Sequence, residues 1–170
     1  MPWVIRPITA DHDVDGFDCG TDSLNSWLRQ HALPNDRLGL SKVHVLTEAG
    51  SDLVLGYYAL SSFHVISTDI PDSKKRGIPQ KDFRVPCHLI GRIAVDEAEQ
   101  KKGLGAILLA HAMTTAYQAS KGVAAYAIVV ETRDPVARAF WVKHDFTPLL
   151  TDLNHLFMPM SRVELIVKGM

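Results

Sequence analysis

The apolar positions change period several times along the chain, and each change marks an element. Trp3-Val4-Ile5-Arg6-Pro7 predicts a short first strand closed by proline. Leu24, Trp27, Leu28 and His31 then recur at helical spacing, with Thr21 or Asp22 as the cap before them and Pro34-Asn35-Asp36 as the stop. Val43 to Thr47 and Leu53 to Ser61, separated by Ala49-Gly50-Ser51-Asp52, predict a hairpin. Residues 68 to 86 follow no period; they hold Pro71, Pro79 and Pro86 with Lys74, Lys75, Arg76, Lys81 and Arg84, a basic surface loop. His88 to Val95 is a central strand, and Leu104, Ile107, Leu108, His111, Ala112 and Thr115 form the apolar stripe of a helix that Lys121-Gly122 ends. Ala125 to Val130 is a continuous apolar run, the mark of a strand covered on both faces. Asp134-Pro135 opens a helix whose inner side carries Ala137, Phe140 and Trp141. Phe146 to Leu150, Leu156 to Met160 and Ser161 to Val167 predict closing strands, the last with a helix as the alternative. The order predicts a mixed α/β sheet in one domain, residues 1–170.

Composition narrows the partners more than the fold. At 46% hydrophobic and 22% charged residues, the chain is an ordinary globular sequence. A formal net charge of -1 leaves no global basic excess, so affinity for nucleic acid requires a local patch. The two cysteines make neither a disulfide framework nor a zinc motif, and the eight histidines lack His-Glu-x-x-His spacing, so no metal is expected. Residues 1–15 carry Asp11, Asp13 and Asp15 and no apolar core segment, which argues against a signal peptide. No apolar run spans a bilayer, and a cytoplasmic location without a membrane partner is expected.

The candidate chemistry centres on Gln100-Lys101-Lys102-Gly103-Leu104-Gly105, between the central strand and the helix that begins Ala106-Ile107-Leu108. A glycine-rich turn from strand to helix leaves the first helical N–H groups without partners, and the helix dipole favours an anion there, most often phosphate. A P-loop needs Gly-Lys-Ser or Gly-Lys-Thr, which is absent. A dinucleotide fingerprint needs a third glycine where Leu108 stands and an acid nearer than Glu131. The remaining pattern, Gln or Arg, two residues, Gly, one residue, Gly or Ala, is matched in full.

That pattern resembles the pyrophosphate loop of the GCN5-related N-acetyltransferase (GNAT) superfamily. Asp134, Ala137, Phe140 and Trp141 resemble a second family segment, whose last position is a tyrosine. Phe17-Asp18-Cys19-Gly20 with Leu24 to Leu28, Gly56 to Leu60, Leu89 to Asp96 and Leu156 to Met160 are similar to the TacT-like toxin acetyltransferases. The resemblance covers residues 17 to 160. It implies a GNAT fold, a mixed central sheet flanked by helices on both faces, and acetyl-CoA as cosubstrate. It implies that acetyl-CoA is held by Ile93, Ala94, Val95, Gln100, Lys101, Lys102, Gly103, Leu104, Gly105, Ala106, Asp134, Ala137 and Phe140. Backbone N–H groups at Ile93 to Val95 would polarise the thioester carbonyl. The toxin likeness further implies acetylation of the α-amine of aminoacyl-tRNA, with Arg92, Lys74, Lys75 and Arg76 toward that substrate, a ribbon-helix-helix antitoxin, and a homodimer.

Two residues leave alternatives open. Trp141 stands where the family's tyrosine would protonate the leaving thiolate, and an indole N–H is not an acid at neutral pH. Either another group or water supplies that proton, or the enzyme is slow, or the chain binds without catalysing; Trp141 also fits a plain core position. Arg92 interrupts an apolar strand, so it either pairs internally or reaches into the cleft. The acceptor alternatives to tRNA are a small amine or a protein amine, and Asp145 replaces a family glycine.

Overall fold

The computed structural model describes residues 2–75, 77, 78, 83–132 and 134–170. Seven strands pair in the order β1-β2-β3-β4-β5-β7-β6. They are β1 Trp3–Pro7, β2 Lys42–Glu48, β3 Gly56–Ile66, β4 Arg84–Val95, β5 Ala127–Glu131, β6 Thr147–Pro148 and β7 His155–Pro159. β4 and β5 run parallel, while β1/β2, β2/β3, β5/β7 and β6/β7 are antiparallel, so the sheet is mixed. The helices are α1 Asp22–Trp27, α2 Leu33–Leu38, α3 Leu104–Ser120, α4 Pro135–Lys143 and α5 Met160–Lys168. The chain forms two compact units, Met1–Ser61 with Gly91–Ala112, and Ser62–Ile90 with Met113–Met170.

In the first unit, Val43, Val45 and Tyr57 from the sheet and Phe17, Trp27 and Leu28 from the N-terminal segment make one buried cluster. The helix expected to stop at Pro34 runs on to Leu38, because a π turn over Leu28–Ala32 intervenes. The wide turn shifts the buried spacing from i+4 to i+5: Ala32 is buried and His31 is exposed, contrary to the sequence stripe. Pro34 then sits at the start of α2, where its missing N–H costs little, and Gly39 at φ 76 ends it. The second hairpin strand starts at Gly56, not Leu53. A Cβ on Gly56 would lie 2.9 Å from Leu108 Cδ1 and 3.1 Å from the Ala94 carbonyl, so only glycine lets α3 pack this closely on the strand. On the part of α3 in this unit the buried residues are Leu104, Leu108, Leu109 and Ala112, while Ile107, which the sequence placed in the stripe, is 40% exposed.

The same unit holds a histidine cluster without any sequence signature. Tyr58 is buried and its hydroxyl lies 2.8 Å from His111 Nδ1; His44 stacks on Tyr58 with ring centroids 4.9 Å apart. His44 Nδ1 is buried without a hydrogen-bond partner. Burial lowers the pKa of both histidines, with His111 further lowering that of His44 and Asp36 opposing it. The unfolded chain therefore takes up these protons first, and stability present above about pH 6.5 is lost as the pH falls through that value. Thermal melting is expected to fall between pH 7.5 and 5.5, and to fall less in His44→Gln. A melting temperature flat across that range would contradict the assignment.

In the second unit, β5 is buried from Ala127 to Val130, as its unbroken apolar run implies. The segment expected to be patternless holds two 3-10 turns, Ser67–Asp69 and Asp72–Lys74, and β4 begins at Arg84 instead of His88. Val85 and Cys87 are buried while Arg84 and Pro86 are exposed, an alternation that Pro86 disguised. The last element is a helix, α5, not the expected strand. Val163, Ile166 and Val167 share its covered side and Leu165 is 65% exposed, so the β-branched residues hid a period of 3.6.

Candidate functional site

Asp96 closes β4 and caps the 3-10 turn Glu97–Glu99, its Oδ1 accepting the Ala98 N–H at 2.9 Å. The loop then turns through two left-handed residues, Lys101 at φ 65 and Gly103 at φ 84. A left-handed lysine is strained, so the loop holds a conformation its sequence does not choose locally. Leu104 is 1% exposed and anchors the first turn of α3 in the core. The N–H groups of Gly103, Leu104, Gly105 and Ala106 find no acceptor among the described residues, and a Cβ built on Gly103 or Gly105 meets nothing within 4 Å. Open space above unpaired helix-start donors suits a phosphate group.

The charged residues of the loop differ in role. Lys102 pairs with Glu99 at 2.9 Å, while Lys101 is exposed. Gln100 uses its side-chain amide structurally: Nε2 donates to the Val95 carbonyl at 2.9 Å and to the Cys19 carbonyl at 3.2 Å. The strand end, the N-terminal turn and the loop are thereby tied together. A second tie uses Asp18, whose N–H donates to Asp96 Oδ2 at 3.1 Å and whose Oδ1 accepts from Gly20 and from Asn25 Nδ2. The motif Phe17 to Gly20 is thus a laced turn at the end of β4. Only the contacts, not the sequence, reveal its partners.

β4 pairs with β5 from Cys87 to Ile90 and runs on to Val95, so Ile93, Ala94 and Val95 lie beyond that register. Ala94 is buried and its two neighbours are half-buried. Arg92 is half-buried, and of the two expected courses the internal ion pair is not the one it takes. Its Cζ lies 4.4 Å from the centroid of the Trp27 ring, and it forms no ion pair among the described residues. Trp27 was legible only as a core residue.

The other candidate residues belong to the second unit. Asp134 is the N-cap of α4 and accepts the Val136 N–H at 2.9 Å. Ala137 and Phe140 are half-buried. Trp141 is 3% exposed, with its ring edge-on to Phe140 and Phe146, each at 5.2 Å. Asp145 has φ 76, the left-handed region that favours the glycine the resemblance leads one to expect there, and its carboxylate accepts from Arg162 Nε at 2.8 Å. Lys74 is exposed; Lys75 is held by Asp72 at 3.2 Å; Arg76 lies outside the described residues. Among the described residues no cluster of His, Cys, Asp or Glu is arranged to hold a metal, and no helix is long and apolar enough to cross a membrane.

Three comparisons bear on this geometry. The profile of the acetyltransferase (GNAT) family matches residues 26–146. The chain is 37% identical over 162 residues, 95% of each chain, to the tRNA-acetylating toxin of Mycobacterium tuberculosis strain ATCC 25618 / H37Rv. Among solved structures it is similar to AtaT complexed with acetyl-methionyl-tRNAfMet, with a TM-score of 0.89 and 33% identity over 97% of this chain and 99% of that one. It is also similar to a Tyr→Phe variant of the AtaT toxin bound to the C-terminus of the antitoxin AtaR and acetyl-CoA, with a TM-score of 0.83 and 31% identity over 96% and 97%.

Proposed function

Because the chain belongs to the acetyltransferase (GNAT) family, we propose that it is an acetyl-CoA-dependent N-acetyltransferase toxin that acetylates the α-amine of aminoacyl-tRNA and so blocks translation. The observation that carries the acceptor is 37% identity along 95% of a protein named for tRNA acetylation. A single domain over residues 1–170 is part of the proposal, as are a cytoplasmic location, a homodimer and a ribbon-helix-helix antitoxin partner. The AtaT complex with its antitoxin supports the last of these in its coarser form.

The loop fits the cosubstrate. Four consecutive backbone N–H groups without acceptors, a left-handed Gly103 and open space beside it suit a pyrophosphate. Gln100 shapes the loop, Lys101 adds charge, and Leu104 fixes the helix start. Ile93, Ala94 and Val95 offer backbone groups to the pantetheine amides and an N–H to the carbonyl under attack. Asp134, Ala137 and Phe140 of the α4 segment enter the proposal on the resemblance alone. Acetyl-CoA supplies the activated thioester acyl group. The chain's own task is to bind, to orient the amine, and to move one proton from it and one to the thiolate. Trp141 cannot donate the second proton as an acid, so either water or another side chain does, or turnover is slow.

A small amine as acceptor is the second reading, favoured by the net charge of -1. Purified protein incubated with acetyl-CoA and total aminoacyl-tRNA is expected to yield N-acetylated amino acids on mild hydrolysis and mass spectrometry. Acetylation of free amines alone would favour the second reading, and binding without any transfer would favour a non-catalytic role.

A further inference from the structure

We propose that Trp27 is a positioning residue for the acceptor: its indole face holds the Arg92 guanidinium ready for a phosphodiester of the polynucleotide substrate. The inference rests on the acceptor reading above and deepens it.

A half-buried arginine ordinarily has a carboxylate beside it, because desolvated charge is costly. Arg92 has an aromatic face instead, 4.4 Å from its Cζ, and no acidic partner among the described residues. The difference matters chemically. A carboxylate would cancel the charge and occupy the N–H fork. A π face stabilises the cation through the ring quadrupole and leaves the in-plane donors available. Five N–H donors on a retained positive charge match the paired oxygens of a phosphate.

The platform is itself fixed. Trp27 is 8% exposed and stacks on Tyr57, with centroids 6.0 Å apart and planes at 11°. The Tyr57 hydroxyl donates to the Leu24 carbonyl at 2.8 Å. Burial pushes the Tyr57 phenol well above its ordinary value, so it stays a donor. Strand alternation puts Arg92 with Ala94, which packs in the Trp27 cluster, on the α1 side of β4. The donor's pyrophosphate has its own cradle at the start of α3. A second phosphate-seeking group, on β4 beside Trp27 of α1, is therefore assigned to the acceptor.

The test is steady-state acetylation of aminoacyl-tRNA at several salt concentrations, with acetyl-CoA affinity measured by calorimetry. Trp27→Leu is expected to raise acceptor KM about tenfold, with kcat and acetyl-CoA Kd within about twofold. Trp27→Phe keeps a π face and is expected to lie within about threefold of wild type. Arg92→Gln should raise KM similarly. Both Trp27→Leu and Arg92→Gln should reduce the slope of log KM against log salt by about one, as loss of one phosphate contact does. The double variant Trp27→Leu/Arg92→Gln should be no worse than Arg92→Gln alone. A folded Trp27→Leu with unchanged KM and salt slope overturns the proposal, as does additivity in the double variant. A change confined to acetyl-CoA Kd also overturns it, because the cation would then serve the donor. If Trp27→Leu is unfolded at the assay temperature, the cycle is run with Trp27→Met, which also lacks a π face, and additivity with Arg92→Gln overturns the clamp. Wild-type protein that acetylates no aminoacyl-tRNA overturns the acceptor reading and the clamp together; wild-type turnover insensitive to Trp27 overturns the clamp alone.

Discussion

Gly103→Asp is expected to weaken acetyl-CoA binding at least a hundredfold, at a cost to folding of about 1–2 kcal/mol. Three effects act in one direction. Gly103 has φ 84, where a side chain costs about 1–2 kcal/mol. The new carboxylate would itself take the place of the ligand at the helix start, satisfying the donors that a phosphate needs. Its charge would also repel the diphosphate. A hundredfold loss corresponds to about 2.7 kcal/mol, within reach of exclusion and repulsion combined. No clash adds to that strain, because a Cβ at this position meets nothing within 4 Å. Gly103→Ala separates the contributions: it carries the backbone strain without the charge and should lose about tenfold. Calorimetry with acetyl-CoA reads both, and melting temperature reads the cost to folding. Equal affinity in wild type and Gly103→Asp would remove the loop from the cosubstrate site.

Trp141 gives the second large effect, and packing and chemistry separate there. The ring is 3% exposed and meets Phe140 and Phe146 edge-on, at 75° and 72°. Trp141→Ala should therefore cost about 3–5 kcal/mol, a large share of the roughly 5–15 kcal/mol that holds a domain. Trp141→Tyr keeps an aromatic ring between the two phenylalanines and leaves a smaller void, so melting should fall by only a few degrees. The phenol restores an O–H of pKa about 10 at the position of the family's acid. Its kcat should rise about tenfold, equivalent to about 1.4 kcal/mol of transition-state stabilisation. Acetyl-CoA affinity should stay within about twofold, since the phosphate contacts lie on the α3 loop. A stable Tyr variant with unchanged or lower kcat would assign Trp141 to core packing and the acid to another group.

What the sequence disclosed, and what it did not, follows from the range of the interactions involved. The α3 loop, the buried run of β5 and the Asp134 cap are local patterns, and each has one physical reading within a few residues. The π turn at Leu28–Ala32 is also local, yet a single extra residue per turn leaves no mark in a period-3.6 count. It put His31 on the wrong side and made Pro34 look like a stop. Val163, Ile166 and Val167 carry high strand propensity, but their burial in tertiary context decided for a helix. Arg92 and Trp27 stand 65 positions apart, and Gln100 and Cys19 81, so no spacing rule connects them. The backbone reversal at Lys101 was hidden for another reason: its side chain gives no warning of a left-handed φ.

One amide group of Gln100 reaches both the end of β4 and the turn that launches α1. A ligand that displaces this amide from the loop side acts on the turn before α1 as well, and any such coupling is reciprocal. The two substrates of this chain are then not independent guests. Acetyl-CoA bound first is then expected to change the affinity for the second substrate by the same factor as the reverse order, which paired calorimetric titrations would read.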